Sequence, residues 1–344
     1  MKSKYSAKSS AIIFLLAIFL PSLVTSLWVL IVKDVKSNLM YYYIALALSQ
    51  LTMLLIFILF NKFNKTNGLK ECEIKFNLNI KQILIVVASG LVALFAFSPL
   101  VNLIEGILLK CGYNVGSTFD LTFNNFGIFS LAVLVLGIMP AICEELIFRG
   151  IIMHGYKQFP KKTIVLITAF LFMIMHLNIE QTIYQFVLGM LLCCVVLVTG
   201  SLISSIILHF VNNVVILIIN YLYEINHVDT SIKPYNFTAW NVIYPILIAI
   251  IGCVALIFLI RLLKIVTTEK NTTENSVVIE KEENYKSDNT QTSNAQNKSG
   301  KFELSSSYWV VLPVVLGVIL WIINFVSSLW EVKWNLVKIY LKHT

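Results

Sequence analysis

"PAICEELIFRG", residues 140–150, closes an apolar run that begins near Phe126 and sets Glu144, Glu145 and Arg149 into a segment otherwise suited to hydrocarbon. A charged side chain at mid-helix in a bilayer costs about 2.5–3.5 kcal/mol, so charges found there point to function before structure. The first question is whether the surroundings are in fact membrane. Of the 344 residues, 58% are hydrophobic and 13% charged, and the mean hydropathy is +0.82. Soluble domains run near 45–50% apolar and about 25% charged. A soluble multidomain protein is excluded.

Apolar runs of about 20 residues, the length that crosses a bilayer as helix, recur along the chain. They predict an all-α, polytopic transmembrane helical bundle of about nine spans, near residues 11–32, 41–61, 82–109, 126–148, 163–177, 183–199, 201–223, 241–263 and 307–328. The first resembles a secretory signal, but its apolar run continues to about Val32, too long for one, and reads as an uncleaved span. Most of the 26 Lys and Arg fall in segments that are cytoplasmic if the N-terminus is inside, as the positive-inside rule asks. The expectation is a multi-pass plasma-membrane protein with a cytoplasmic N-terminus. The net charge of +8 is accounted for by these loops and calls for no nucleic acid.

The chain divides into N-terminal transmembrane helices at 1–119, a core at 120–225, a further helix at 226–266, a linker at 267–306 and a C-terminal helix with an amphipathic end at 307–344. The linker is rich in Asn, Thr, Ser, Glu and Lys and too poor in apolar residues to offset its ordering entropy, so disorder is expected. The six cysteines form no C-x-x-C pair and sit mostly in apolar runs, which suggests neither disulfides nor a zinc ribbon. Cys143, beside Glu144, reads as an inert buried thiol.

Three polar couples stand out. Glu145 and Arg149 are four apart, with the acid first, the favourable order for a helical ion pair. Arg149 then neutralises Glu145 and leaves Glu144 free. Phe172 and His176 share a helix face, where the ring can hold the imidazole and keep water off it. His209 and Asn213 repeat the spacing, and there the amide can orient the imidazole or join it in donating to one oxygen. Singly, each couple has a plain reading: a snorkelling interfacial pair or interhelical hydrogen bonding. Together, a carboxylate facing two imidazoles is the composition of a water-activating site. Glu105 shows no partner pattern and reads as structural; His154, His227 and His343 read as solvated. No G-x-S-x-G, H-E-x-x-H or P-loop pattern is present.

The couples "EELIFR" (Glu144 to Arg149), "FMIMH" (Phe172 to His176) and "HFVNN" (His209 to Asn213) resemble, complete and in order, the motifs of the CAAX prenyl endopeptidase type II family. This family, also called Abi or CPBP, comprises intramembrane proteases, including bacteriocin-processing and self-immunity proteins. The resemblance covers about residues 120–225; the linker and last span lie outside the family's common core. It implies an endopeptidase acting on a membrane-anchored or lipidated peptide or protein within the lipid bilayer. Glu144 and His176 would activate water, His209 and Asn213 would stabilise the oxyanion, and Glu145, Arg149 and Phe172 would support them. No cofactor is required by this scheme. Zinc, were it bound, would fall to Glu144, His176 and His209, but a Glu that ligates metal is not also a free base. The competing readings are a non-catalytic scaffold or immunity protein and a proton-coupled transporter. Nothing in the pattern specifies an oligomeric state. The helix at 163 needs a low start or a tilt for His176 to meet His209, since His176 lies about 21 Å of helix from Lys162 and His209 only about 10 Å from residue 200.

Overall fold

The computed structural model describes residues 5–32, 38–113, 123, 125–228, 235–285 and 308–343, with side chains throughout these except at 273–285, 308 and 328–343. Among the described residues there are helices and no strands. The long ones are α1 (Ala7–Val32), α2 (Leu39–Phe63), α3 (Ile80–Lys110), α4 (Phe126–Gly155), α5 (Lys161–Met175), α6 (Thr182–Thr199), α7 (Leu202–Ile225), α8 (Ala239–Tyr285) and α9 (Tyr308–His343). The protein is an all-α polytopic bundle. Eight of the described helices are long and apolar enough to cross a membrane, one fewer than the nine expected. The exception is α5: its 15 residues rise about 22 Å, short of a hydrocarbon core of about 30 Å.

The end of α5 is set locally. His176 is its C-cap, and Leu177 turns the chain at φ 46, a left-handed conformation that costs a non-glycine residue roughly 1–3 kcal/mol and concentrates at functional sites. Asn178 Oδ1 then accepts from the Glu180 backbone N–H at 2.8 Å, an Asx turn that starts the return into α6. Gly189 lets α6 lie close on α5: a Cβ there would sit 3.0 Å from the Ala169 Cα.

One end of the bundle is tied by loops. The Leu202 N–H donates to the Glu73 carbonyl at 3.1 Å, and Ser201 Oγ donates to the Lys75 carbonyl at 2.6 Å. Gln82, which closes a capping box with Asn79 at the start of α3, donates to Thr267 Oγ1 at 2.9 Å, and Lys270 reaches the Asn77 carbonyl. These ties hold α8 beyond residue 266, and the helix continues to Tyr285. The expected linker boundary at 267 is therefore too early, because anchored side chains on α8 and α3 supply ordering contacts that composition alone does not reveal. The linker's remainder, 286–306, lies outside the described residues.

His154 corrects a second expectation, for it is 1% exposed rather than solvated. Its Nδ1 faces the Arg149 carbonyl at 2.7 Å and therefore carries the proton, while Nε2 stands 3.9 Å from Glu73 Oε1. His227 is exposed as expected, and the side chain of His343 lies outside those described. The His154 imidazole and the Lys157 ammonium, 3.1 Å away, hold the Glu73 carboxyl down at about 2. A carboxylate with a depressed folded-state pKa stabilises the fold above its unfolded value of about 4.5 and loses that contribution as pH falls towards 2. Glu73→Gln should accordingly lower the melting temperature at pH 7, with the deficit shrinking between about pH 4.5 and pH 2. A pH-independent deficit in detergent-phase melting curves would refute the latch.

Nor is the last helix an appendage. α9 packs on α1 and α5: a Cβ on Gly317 would meet Ile174 Cγ2 at 2.8 Å, Lys8 Nζ lies 5.3 Å over the Trp309 ring, and Asn324 Nδ2 donates to the Leu177 carbonyl.

Candidate active site

α4 is not uniform helix. Wide π turns at Val133–Ile138 and Leu146–Ile152 flank an α-helical stretch, Met139–Glu145. Such turns arise where the regular ladder is disturbed and are frequent at functional sites. Pro140 is one cause, since it has no N–H for the carbonyl four residues back, that of Leu136. Asn213 Nδ2 takes that carbonyl at 3.1 Å. Between the two wide turns both acids face the interior: Glu144 is 6% exposed and Glu145 0%.

Glu145 and Arg149 pair as the spacing predicts, Nη1 to Oε1 at 2.7 Å, both side chains fully buried. The contact is a single bond, because Nη2 turns away to donate to the Gly189 carbonyl at 3.0 Å. The guanidinium also lies 4.4 Å over the Phe172 ring, a desolvated cation–π contact. His209 Nδ1 donates to the same Glu145 Oε1 at 2.9 Å. The group that orients His209 is therefore Glu145 and not Asn213, whose amide is engaged with Leu136.

Glu144 stands apart from this chain of bonds. Gln50 Nε2, on α2, donates to its Oε1 at 3.1 Å. Oε2 is buried without a hydrogen-bond partner among the described residues and lies 3.9 Å from His209 Nε2. His176 Nδ1 donates to the Phe172 carbonyl at 2.8 Å. Because carbonyl and carboxylate oxygens only accept here, both imidazoles carry their proton on Nδ1, and in the neutral form each leaves Nε2 as a lone pair. Phe172, 0% exposed, sits between them, its centroid 4.7 Å from that of His176 and 5.9 Å from that of His209. His209 thus meets α5 at Phe172, one turn before His176, which narrows the offset in depth noted above.

Glu144, His176, His209, Asn212 and Asn213 all line one cavity of about 670 Å³ running between α3 and α7, within the usual size of a ligand site. Asn212 is the more buried of the two amides, at 2% exposure, and accepts from the Tyr184 hydroxyl. Two partners were missed in the sequence. Gln50 had a signal, being an amide inside the apolar span 41–61. Tyr184 had none, since tyrosine is common at helix ends.

A zinc site can be tested on these distances. Neighbouring ligands of a tetrahedral zinc, each about 2.0–2.2 Å from the metal, lie about 3.3 Å apart. His209 Nε2 and Glu144 Oε2 are 3.9 Å apart, and among the described residues no three His, Cys, Asp or Glu side chains gather as a metal requires. As placed, these residues do not form a zinc site, and no step below is routed through one. All six cysteines are unpaired, and Cys143 is buried at 4% exposure.

No curated protein and no solved structure matches the chain. Residues 126–215, which carry all three couples, match the family model described as Rce1-like, Type II CAAX prenyl endopeptidase Rce1-like. Over this segment the polytopic membrane chain is similar to the type II CAAX prenyl endopeptidase Rce1-like family.

Proposed function

We propose that the protein is an intramembrane endopeptidase that hydrolyses a peptide bond of a membrane-anchored or lipidated peptide with water activated by Glu144. The observation carrying this reading is the buried Oε2 of Glu144, which has no hydrogen-bond partner among the described residues, lies 3.9 Å from His209 Nε2 and belongs to a residue that lines the cavity. Water held there would give a proton to Glu144 as its oxygen attacks the carbonyl carbon. As the C–N bond breaks, that proton passes to the leaving amine, with the Nε2 lone pair of His176 as relay. His209 can donate to the oxyanion from Nε2 only as an imidazolium, and the Glu145 carboxylate on Nδ1 is the counter-charge that this form needs. Asn213 retains one amide hydrogen not used by Leu136 and is the second donor. Donors preset in this way contribute about 3–4 kcal/mol in a dry site. We place the enzyme in the plasma membrane with its N-terminus cytoplasmic, on the distribution of Lys and Arg.

The test is cleavage of membrane-anchored synthetic peptides by the full chain in liposomes, read by mass spectrometry. Cleavage should fall by about 10²- to 10⁴-fold in His176→Ala and be unaffected by 1,10-phenanthroline. Undiminished products from His176→Ala would remove it from the site. Inhibition by the chelator, reversed by zinc, would replace the glutamate base with a metal.

A further inference from the structure

Away from the reaction centre the cavity wall carries amide side chains that this mechanism does not use. Asn102 on α3, Gln181 and Gln185 at the entry to α6, and Asn220 on α7 all line it. The two glutamines are one helical turn apart, and Gln185 Nε2 donates to Gln181 Oε1 at 3.2 Å. That bond leaves the pair with one acceptor and one donor to offer. Gln185 Oε1 is buried with no hydrogen-bond partner among the described residues, and Gln181 Nε2 takes no part in the contact. The side-chain amides of Asn102 and Asn220 make no hydrogen bond among the described residues, so each brings both kinds of group. A donor and an acceptor side by side are what the main chain of one peptide residue, with its C=O and its N–H, requires.

A substrate inside a bilayer has that requirement. The turns of a regular helix screen its carbonyl carbons from attack, so the peptide must be extended around the cleaved bond. Extension frees main-chain groups that hydrocarbon cannot satisfy. Extended peptides elsewhere pair with a sheet edge, but the described residues form no strand, and the main chain of the wall helices is engaged in its own ladder. Side-chain amides are what the wall has left to give. Their placement fits as well. Asn213, the second oxyanion donor above, and Asn220 are seven residues apart on α7 and both line the cavity. Two helical turns separate them by about 10 Å, which an extended peptide covers in about three residues.

We propose that Asn220, Asn102 and the Gln181–Gln185 pair form a lane that binds the substrate's main chain in extended form, holding the peptide by its backbone rather than by a particular side chain. This rests on the endopeptidase reading and is tested without turnover. The full chain carrying Glu144→Gln, in detergent micelles, is titrated with short dansylated apolar peptides in which one main-chain amide at a time is replaced by an ester, which lacks the N–H. The all-amide peptide is the reference, and the bond that wild type cleaves in it is located by mass spectrometry. An ester about three residues from that bond should weaken binding about 3- to 10-fold, the usual effect of one hydrogen bond. Adding Asn220→Leu should weaken binding of the reference peptide and bring the ester effect to within about twofold, as expected of two groups that act on each other. Gln181→Leu should do the same for an ester at another position, and carries the test alone should Asn220→Leu fail to fold. Esters without effect at every position, ester effects unchanged in both added variants, or no binding of any peptide would overturn the lane. Ester-sensitive binding that the added variants abolish, in a protein whose wild type cleaves none of these peptides, would instead sink the endopeptidase reading and leave the lane standing.

Discussion

Glu144→Gln should lower peptide-bond cleavage by about 10²- to 10⁴-fold, the range for losing a general base, and leave the melting temperature within a few degrees of wild type. Glutamine has the same shape and still offers Gln50 an oxygen in place of Oε1, and Glu144 belongs to none of the buried ion pairs that include Arg149. Activity and folding are thus expected to separate. Cleavage assays in liposomes, run beside thermal melts of the same preparations, would read both. Intact cellular function in this variant would favour a scaffold that keeps the motif for packing. Loss of a solute flux, with no peptide product from wild type at all, would favour a transporter.

Arg149→Met should have the largest effect on stability. It removes the partner of a fully buried carboxylate, and breaking a buried pair from one side costs about 3–5 kcal/mol because the remaining charge is left uncompensated. The same change vacates the face of Phe172 and releases the Gly189 carbonyl. The double variant Glu145→Gln/Arg149→Met should recover much of the lost stability, since neither charge remains. It should stay nearly inactive, because His209 Nδ1 no longer has a carboxylate to hold its ring and balance an imidazolium. Denaturation curves for the three proteins decide the matter. An Arg149→Met variant as stable as wild type would mean that Glu145 is neutral in the fold, and the role assigned to it would fall.

Particular residues show how far the amino-acid order could be read. The Glu145–Arg149 pair followed from its spacing, because i,i+4 neighbours on a helix are brought together by local geometry alone. The same holds for Phe172 and His176. For His209 and Asn213 the i,i+4 spacing left two roles open, and packing decides against the first: Glu145 rather than Asn213 orients His209, and the Asn213 amide serves the carbonyl that Pro140 leaves open on another helix. His154 was read as solvated from its place between spans, but packing buries it against Glu73, far away in the chain. Glu105 was read as structural; that it lines the same cavity as Glu144 depends on how α3 packs against its neighbours.

Length, apolar runs and the three couples thus determined by themselves that this is a helical membrane protein with carboxylates and imidazoles set into its apolar helices, because hydrophobic length and helical spacing are local properties of the chain. Only the tertiary structure decided that Glu145 also holds His209, that Gln50 holds one oxygen of Glu144 while the other has no hydrogen-bond partner among the described residues, and that Glu105 lines the same cavity. Each of those contacts joins residues on different helices, and which helix faces meet is set by the packing of the whole bundle.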